Sequence, residues 1–204
     1  STYLSSTNSG EWTQQELAEN AMMAFQGSNV LGSGFVLSEE AAVRLIESDP
    51  ANASVIKPFV RGEDFNSVPD QRPVKWIINF YDWPLARTPT QNSTTPVAAD
   101  FPRCLELVER LVKPKREHAK RKAYRERWWQ YAERCGSLYA TVRGLQRVIF
   151  QASPSKHICF GFALPDAVYS GPHTVIASDA VEDMALLQST IHIEWAWQFC
   201  STMR

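Results

Sequence analysis

The residues with the clearest chemical potential form a basic run at positions 113–127, KPKREHAKRKAYRER, which holds eight Lys or Arg against two Glu. The run leads directly into Trp128, Trp129 and Tyr131. On a chain whose net charge is only −1, this density of cations favours an oriented polyanion-binding surface. A solvated helix face with its own ion pairs is the alternative that the run alone leaves open.

The charge of the chain is divided between its halves. Residues 1–100 carry 6 basic and 12 acidic side chains, and residues 101–204 carry 15 basic and 10 acidic ones. The net charge is therefore −6 in the first half and +5 in the second. On one helix the cations of the run cannot all face the same way, and about half could reach phosphates. The candidate phosphate-binding residues are Lys113, Lys115, Arg116, Lys120, Arg121 and Arg125.

The sequence lacks the motifs of a self-sufficient enzyme. His192 and Glu194 have the H-x-E spacing of zinc deaminases, but no P-C-x-x-C follows to complete a zinc site. The four cysteines form no C-x-x-C pair, which predicts reduced thiols in a cytoplasmic protein. No apolar run approaches about 18 residues, so neither a membrane span nor a signal peptide is predicted. We therefore predict no catalytic residue and no metal ligand.

Hydrophobic patterning predicts an α+β fold of mixed, short-stranded sheets with helices. Residues 1–19 are interpreted as an N-terminal extension or linker, and residues 20–204 as one domain. Ser38 is predicted to cap a helix that contains Glu39 and Glu40 in its first turn. Further helices are predicted at 101–112, through the basic run to about 134 with a break or bend at Pro114, and at 180–200. Strands are predicted at 21–25, 35–37, 76–80, 147–151, 158–164 and 174–177.

Five stretches of the chain, taken in order, carry a family resemblance. They are FQGSNVLGSGFVLSEEAAVRLI, DPANASVIKPFVRGEDFNSVPDQRPVKWIINFYDWP, CLELVERLVKPKRE, WWQYAERCGSLYATVRGLQRVIF and LLQSTIHIEWAWQFCSTMR. From about Asn20 onward the chain resembles the target recognition region of MmeI-like restriction-modification enzymes. Those enzymes are large single chains that fuse a nuclease, an adenine-N6 DNA methyltransferase and a DNA-reading domain.

The resemblance implies a non-catalytic target recognition domain that was excised from a larger chain. Its implied partners are double-stranded DNA and the catalytic methyltransferase domain of the same polypeptide, with no membrane involved. It implies no cofactor for this chain, and S-adenosylmethionine for the catalytic domain of the parent. The parent would be a site-specific adenine-N6 DNA methyltransferase, with or without a nuclease.

A DNA reader needs side chains that reach base edges as well as phosphates. The turn-rich segment 151–175 places polar residues at predicted strand ends, where loops could enter a groove, and ordinary polar loops are the alternative. Trp128, Trp129 and Tyr131 are interpreted as core anchors, because duplex bases offer no free face for stacking. The candidate base-reading residues are Ser153, Ser155, Lys156, His157, Tyr169, Ser170, His173 and Thr174.

Two other functions stay open at the level of sequence. The chain could be a protein-interaction or scaffold module, with the basic run docking on an acidic partner or on the catalytic domain of the parent. It could also be an enzyme with an unrecognised site, which would need buried ionisable groups in a deep pocket. Placement of the basic run and the 151–175 loops on one concave face would favour DNA binding over protein docking.

Overall fold

The computed structural model describes residues 17–88, 94–153, 155 and 157–199. Within them the fold is α+β, as the patterning predicts: two four-stranded sheets are packed with short helices. The strands are β1 (Ala24–Gln26), β2 (Val36–Ser38), β3 (Ile56–Val60), β4 (Lys75–Ile78), β5 (Val148–Gln151), β6 (Phe160–Ala163), β7 (Val168–Tyr169) and β8 (Thr174–Ile176). The α-helices are α1 (Glu39–Ser48), α2 (Gly62–Ser67), α3 (Pro102–Leu111), α4 (Lys113–Glu117), α5 (Lys122–Glu126), α6 (Gly136–Val142), α7 (Val181–Leu187) and α8 (Thr190–Phe199).

The two sheets differ in composition and direction. Sheet 1 has the order β1-β8-β5-β6 and is antiparallel throughout, with Phe150 opposite Val175 and Gly161. Sheet 2 has the order β2-β4-β3-β7, and its only parallel pair among the strands described is β3 with β7. Because β7 is followed directly by β8, the chain passes from sheet 2 into sheet 1 at residues 170–173.

Local sequence signals explain where α1 begins. The hydroxyl of Ser38 accepts a hydrogen bond from the backbone N–H of Ala41 at 3.2 Å, so Ser38 is the N-cap that the sequence predicts. Glu39 and Glu40 occupy the first turn, where carboxylates interact favourably with the helix dipole. Ala42 is buried against sheet 2, which orients the helix.

The aromatic residues after the basic run belong to the core of sheet 2, as predicted. Trp128, Trp129 and Tyr131 are each less than a tenth exposed. The indole of Trp129 donates to the carbonyl of Trp83 at 3.0 Å, and the Tyr131 hydroxyl donates to the carbonyl of Ile78 at 2.8 Å. The polar atoms of Trp129 and Tyr131 are therefore bonded inside the protein, and burial leaves none of the three rings free to stack on a base.

The prediction of helix through the basic run to residue 134 is wrong. The run forms two five-residue helices, α4 and α5, and no helix spans 127–135. Pro114 lies in the first turn of α4, where a missing N–H is tolerated, so a new helix begins there after α3 has ended. The predicted helix at 180–200 is likewise two helices, separated at Gln188 and Ser189. Among the described residues, no helix is long and apolar enough to cross a membrane.

Arg116 holds the basic run to the rest of the protein. Its side chain is 2 % exposed, and its guanidinium donates to the carbonyls of Val30 at 2.7 Å, Leu31 at 3.1 Å and Gln130 at 2.5 Å. Burial lowers the pKa of Arg116, but five N–H donors directed at carbonyls stabilise its cation. A guanidinium enclosed in this way cannot reach a phosphate, so Arg116 is removed from the candidate phosphate-binding residues.

Replacing Arg116 by Met is expected to lower the free energy of unfolding by about 2–4 kcal/mol, because buried carbonyls lose charged donors. Lys115→Met, at the neighbouring exposed position, is the matched control and should change stability by about 0.5 kcal/mol or less. Urea denaturation of both variants measures the difference. Equal stabilities would contradict the structural role of Arg116.

Candidate nucleic-acid interface

The other cations of the basic run lie at the surface. Lys115, Lys120, Arg121 and Arg125 are all exposed. Lys113 is partly buried: its ammonium lies 2.7 Å from Glu109 Oε1 and 5.2 Å from the ring centre of Trp128. Four of the six predicted phosphate-binding residues are therefore exposed, while Lys113 is engaged at the surface by the Glu109 carboxylate and the Trp128 ring.

The accessible cations differ in how strongly they are engaged. Lys120 has no side-chain partner among the residues that the structure describes, and Lys115 has only the Ser33 hydroxyl, at 3.3 Å. Arg121 donates to the Tyr124 hydroxyl at 2.7 Å. Arg125 donates to the carbonyls of Ala119, at 2.6 Å, and Lys120, so it holds the turn between α4 and α5. Lys115 and Lys120 are accordingly the cations best placed to meet an external anion.

Arg127, the last residue of the basic run, is a further accessible cation outside the six predicted from sequence. It is exposed, and no partner of its guanidinium lies in the described part of the chain. Its backbone carbonyl, in contrast, lies 3.4 Å from the guanidinium of Arg116. Arg127 thus joins Lys115 and Lys120 as a candidate phosphate-binding residue. Arg127 and Arg116 look alike in the sequence, and only the fold shows that one is exposed and the other buried.

The predicted base-reading residues divide into loop and core positions. Ser155 and His157 are exposed in the β5–β6 loop, residues 152–159, where the Ser155 hydroxyl accepts from the His157 backbone at 3.3 Å. Lys156 lies outside the described residues. Thr174 is partly buried in β8, opposite both Gln26 and Gln151.

Tyr169 is not a candidate reader. It is 0 % exposed, and its hydroxyl donates to the carbonyl of Leu164. Burial also raises the pKa of Tyr169, so the phenol stays protonated and satisfied within the core. The sequence predicts a surface position because of the polar hydroxyl of this side chain. In the structure its ring instead packs beside Phe150 in the core of sheet 1.

His173 links the loops instead of projecting from them. The backbone nitrogen of Gly62 lies 3.0 Å from its Nε2, and that of Ser153 lies 2.9 Å from its Nδ1. A neutral imidazole accepts at only one nitrogen, so one of the two backbone N–H groups donates to the ring and the other only lies against it. Burial lowers the pKa of His173. The ring joins the start of α2, the β5–β6 loop and residues 170–173, a role that no local sequence signal indicates.

A continuous path of paired backbone connects the basic run with the 170–173 loop. Ser28 pairs with Ser170, and Asn29 pairs with Glu133 through two hydrogen bonds of 3.0 and 3.1 Å. Glu133 Oε1 in turn lies 3.9 Å from the guanidinium of Arg121. Two neighbouring strand spacings amount to about 10 Å, so the loop and the basic run are neighbours along this path.

A cavity of about 410 Å³ lies elsewhere, between β3, α6 and the β6–β7 connection. Lys57 and Asp166 form an ion pair of 2.8 Å at its wall, and Tyr81 and Arg143 are among its other polar lining residues. No cluster of three metal-ligating side chains occurs among the described residues. None of the residues predicted from sequence to touch DNA lines this cavity.

No protein-family model matches the chain, and no curated protein matches it. Among solved structures, the fold is similar to that of the type IIL restriction-modification enzyme MmeI in complex with DNA, with a TM-score of 0.50 and 16 % sequence identity. The similarity covers 85 % of this chain and 21 % of that enzyme, so the chain spans about a fifth of its length. The fold is therefore one that occurs in a restriction-modification enzyme.

The surroundings of His173 generate a pH prediction. Unfolded histidine titrates near pH 6.5, and the folded value lies lower, so the unfolded chain binds more protons as the pH falls through this range. Stability should therefore decrease below about pH 6.5. Replacing His173 by Gln should make the decrease shallower in urea unfolding at several pH values, whereas His157→Gln, at an exposed position, should not. An unchanged pH profile in His173→Gln would contradict the assignment.

Proposed function

We propose that this chain is a sequence-specific reader of double-stranded DNA and acts as the target recognition domain of a larger adenine-N6 DNA methyltransferase. The observation that carries the proposal is the pair of contacts Ser28–Ser170 and Asn29–Glu133, which bring the 170–173 loop close to the segment that follows the accessible cations of the basic run. The similar fold of an enzyme solved with DNA supports the same function.

Phosphate contacts and base contacts have separate roles in this proposal. Lys115, Lys120 and Arg127 neutralise phosphates and set the register of the duplex, while the β5–β6 loop meets base edges. His173 positions that loop and does not read DNA itself. The chain has no catalytic activity of its own, and S-adenosylmethionine is bound by the methyltransferase domain of the longer polypeptide.

Salt dependence tests the phosphate contacts. If these three cations each neutralise one phosphate, log K for a duplex should fall against log [salt] with a slope of about −2.7. Replacing Lys115, Lys120 and Arg127 together by Ala should make the slope shallower by about 0.9 for each phosphate that is no longer neutralised. Fluorescence anisotropy titrations at several salt concentrations measure both slopes.

The control for this experiment must change the net charge equally. Arg44, Arg103 and Arg143 are exposed and lie outside the basic run, so their joint replacement by Ala removes the same charge. This variant should keep the slope of the wild type. Equal slopes in all three proteins would place the phosphate contacts elsewhere, and no measurable duplex binding by the wild type would contradict the proposed function.

A second, compatible function is docking on the catalytic domain of the same polypeptide, which an apolar surface on α7 and α8 supports. Its exposed fractions are 64 % at Leu186, 83 % at Ile191, 48 % at Trp195 and 49 % at Trp197. Within α8 only Glu194 is charged, and helices that are apolar on all sides are normally buried. Several large apolar side chains exposed on neighbouring helices typically mark an interface.

Replacing Ile191 and Trp195 together by Ser should reduce concentration-dependent self-association of the chain, because exposed apolar area is removed. Light scattering over a concentration series measures this change. Val43→Ser, at an isolated exposed position on α1, should leave self-association as in the wild type. Unchanged scattering in the double variant would show that this surface is not adhesive.

A further inference from the structure

The turn that follows α2 holds Gln71 in an unusual backbone conformation. Its φ is 56°, in the left-handed region that side chains other than Gly, Asn and Asp rarely adopt. The backbone N–H of Gln71 donates to the carbonyl of Val68 at 2.9 Å, which closes the turn. Sparsely populated backbone conformations persist only where the surrounding structure fixes them, and they are enriched at functional sites.

The side chain of Gln71 lies against the edge strand of sheet 1. A β-carbon built on Gly161 would lie 2.6 Å from Gln71 Oε1 and 2.9 Å from Nε2, so the amide lies directly against the backbone of β6. Gly161 is the second residue of β6, immediately after the β5–β6 loop. The amide of Gln71 is therefore placed at the end of sheet 1 that carries the exposed Ser155 and His157.

The amide of Gln71 has no hydrogen-bond partner inside the protein. The residue is partly buried, yet no hydrogen bond to its Oε1 or Nε2 is found in the described part of the chain. No buried side-chain nitrogen or oxygen among the described residues lacks a partner, so the unbonded amide reaches solvent. The preceding helix α2 packs through Phe65, whose ring lies 4.8 Å from that of Phe150 in β5. Two N–H donors and one carbonyl acceptor are thus accessible to an external polar group.

The neighbours of Gln71 stabilise the turn without engaging the amide. The Asp70 carboxylate accepts from the backbone N–H of Arg72 at 3.4 Å and lies 3.4 Å from the Arg72 guanidinium. Both side chains are about two-thirds exposed, at 63 % and 64 %. The two charged side chains pair with each other at the surface, and the unbonded Gln71 amide lies between them in the sequence.

We propose that Gln71 is a specificity-determining residue that reads the major-groove edge of one adenine through its side-chain amide. A glutamine amide matches adenine with two hydrogen bonds, accepting from N6 and donating to N7. The turn 68–72 then forms a second reading element beside the β5–β6 loop. This assignment rests on the proposed function, because it requires that the chain bind duplex DNA.

Selection from a randomised duplex library tests the assignment with the 204-residue chain and three variants. Wild type should enrich adenine at one position, with roughly 5- to 150-fold discrimination for a bidentate contact. Gln71→Gly removes the amide and relaxes the backbone, so it should fold at least as stably and lose the preference at that position alone. Gln71→Lys should shift the preferred base there to guanine.

Gln146→Ala is the matched control, because Gln146 is exposed just before β5 begins, at the opposite end of that strand. It should enrich the same sequence as wild type. If wild type shows no preference at any position, the proposed reading function fails, and the role of Gln71 with it. If wild type is selective and Gln71→Gly enriches the same sequence, or binds every sequence equally more weakly, only the role of Gln71 is overturned.

Discussion

At Gly27 two backbone segments approach so closely that no side chain would fit between them. A β-carbon there would lie 2.5 Å from the carbonyl oxygen of Ser170 and 2.7 Å from that of Tyr169. The contact lets Ser28 donate to the carbonyl of Tyr169 at 2.7 Å and accept from the N–H of Gly171 at 2.9 Å. Since Gly27 directly follows β1 and Tyr169 ends β7, this crossing joins sheet 1 to sheet 2 and fixes the origin of the 170–173 loop.

A relay of hydrogen bonds connects Tyr169, at this crossing, with Arg134, in the segment that follows the basic run. The backbone N–H of Tyr169 donates to the Tyr139 hydroxyl at 3.3 Å, which lies 2.8 Å from the Ser28 hydroxyl. Ser28 in turn donates to the carbonyl of Arg134 at 3.2 Å. Burial raises the pKa of Tyr139 to about 12, so its proton remains available to the relay. Arg116 and Arg134 therefore attach both ends of segment 116–134 to residues 28–31.

Features set by neighbouring residues could be predicted from sequence, and those set by distant residues could not. The Ser38 cap and strand β5 follow from local residue types, and burial of Trp128 follows from its apolar bulk. Arg116, in contrast, is one of eight similar cations in the basic run. Its burial depends on distant partners such as the carbonyl of Val30, 86 positions away. His173 meets Gly62 across 111 positions, and neither pairing leaves a periodic signal in the sequence.

The burial of Arg116 also affects the charge that the surface presents. Its cation is solvated by carbonyl dipoles, and no carboxylate pairs with it among the residues described. Carbonyl dipoles stabilise a guanidinium without cancelling its net charge, so a positive charge remains beneath the exposed Lys115. Protein interior of low polarisability screens this charge less than water does. The residue that anchors the basic run therefore also adds to the positive potential by which that run would attract phosphates.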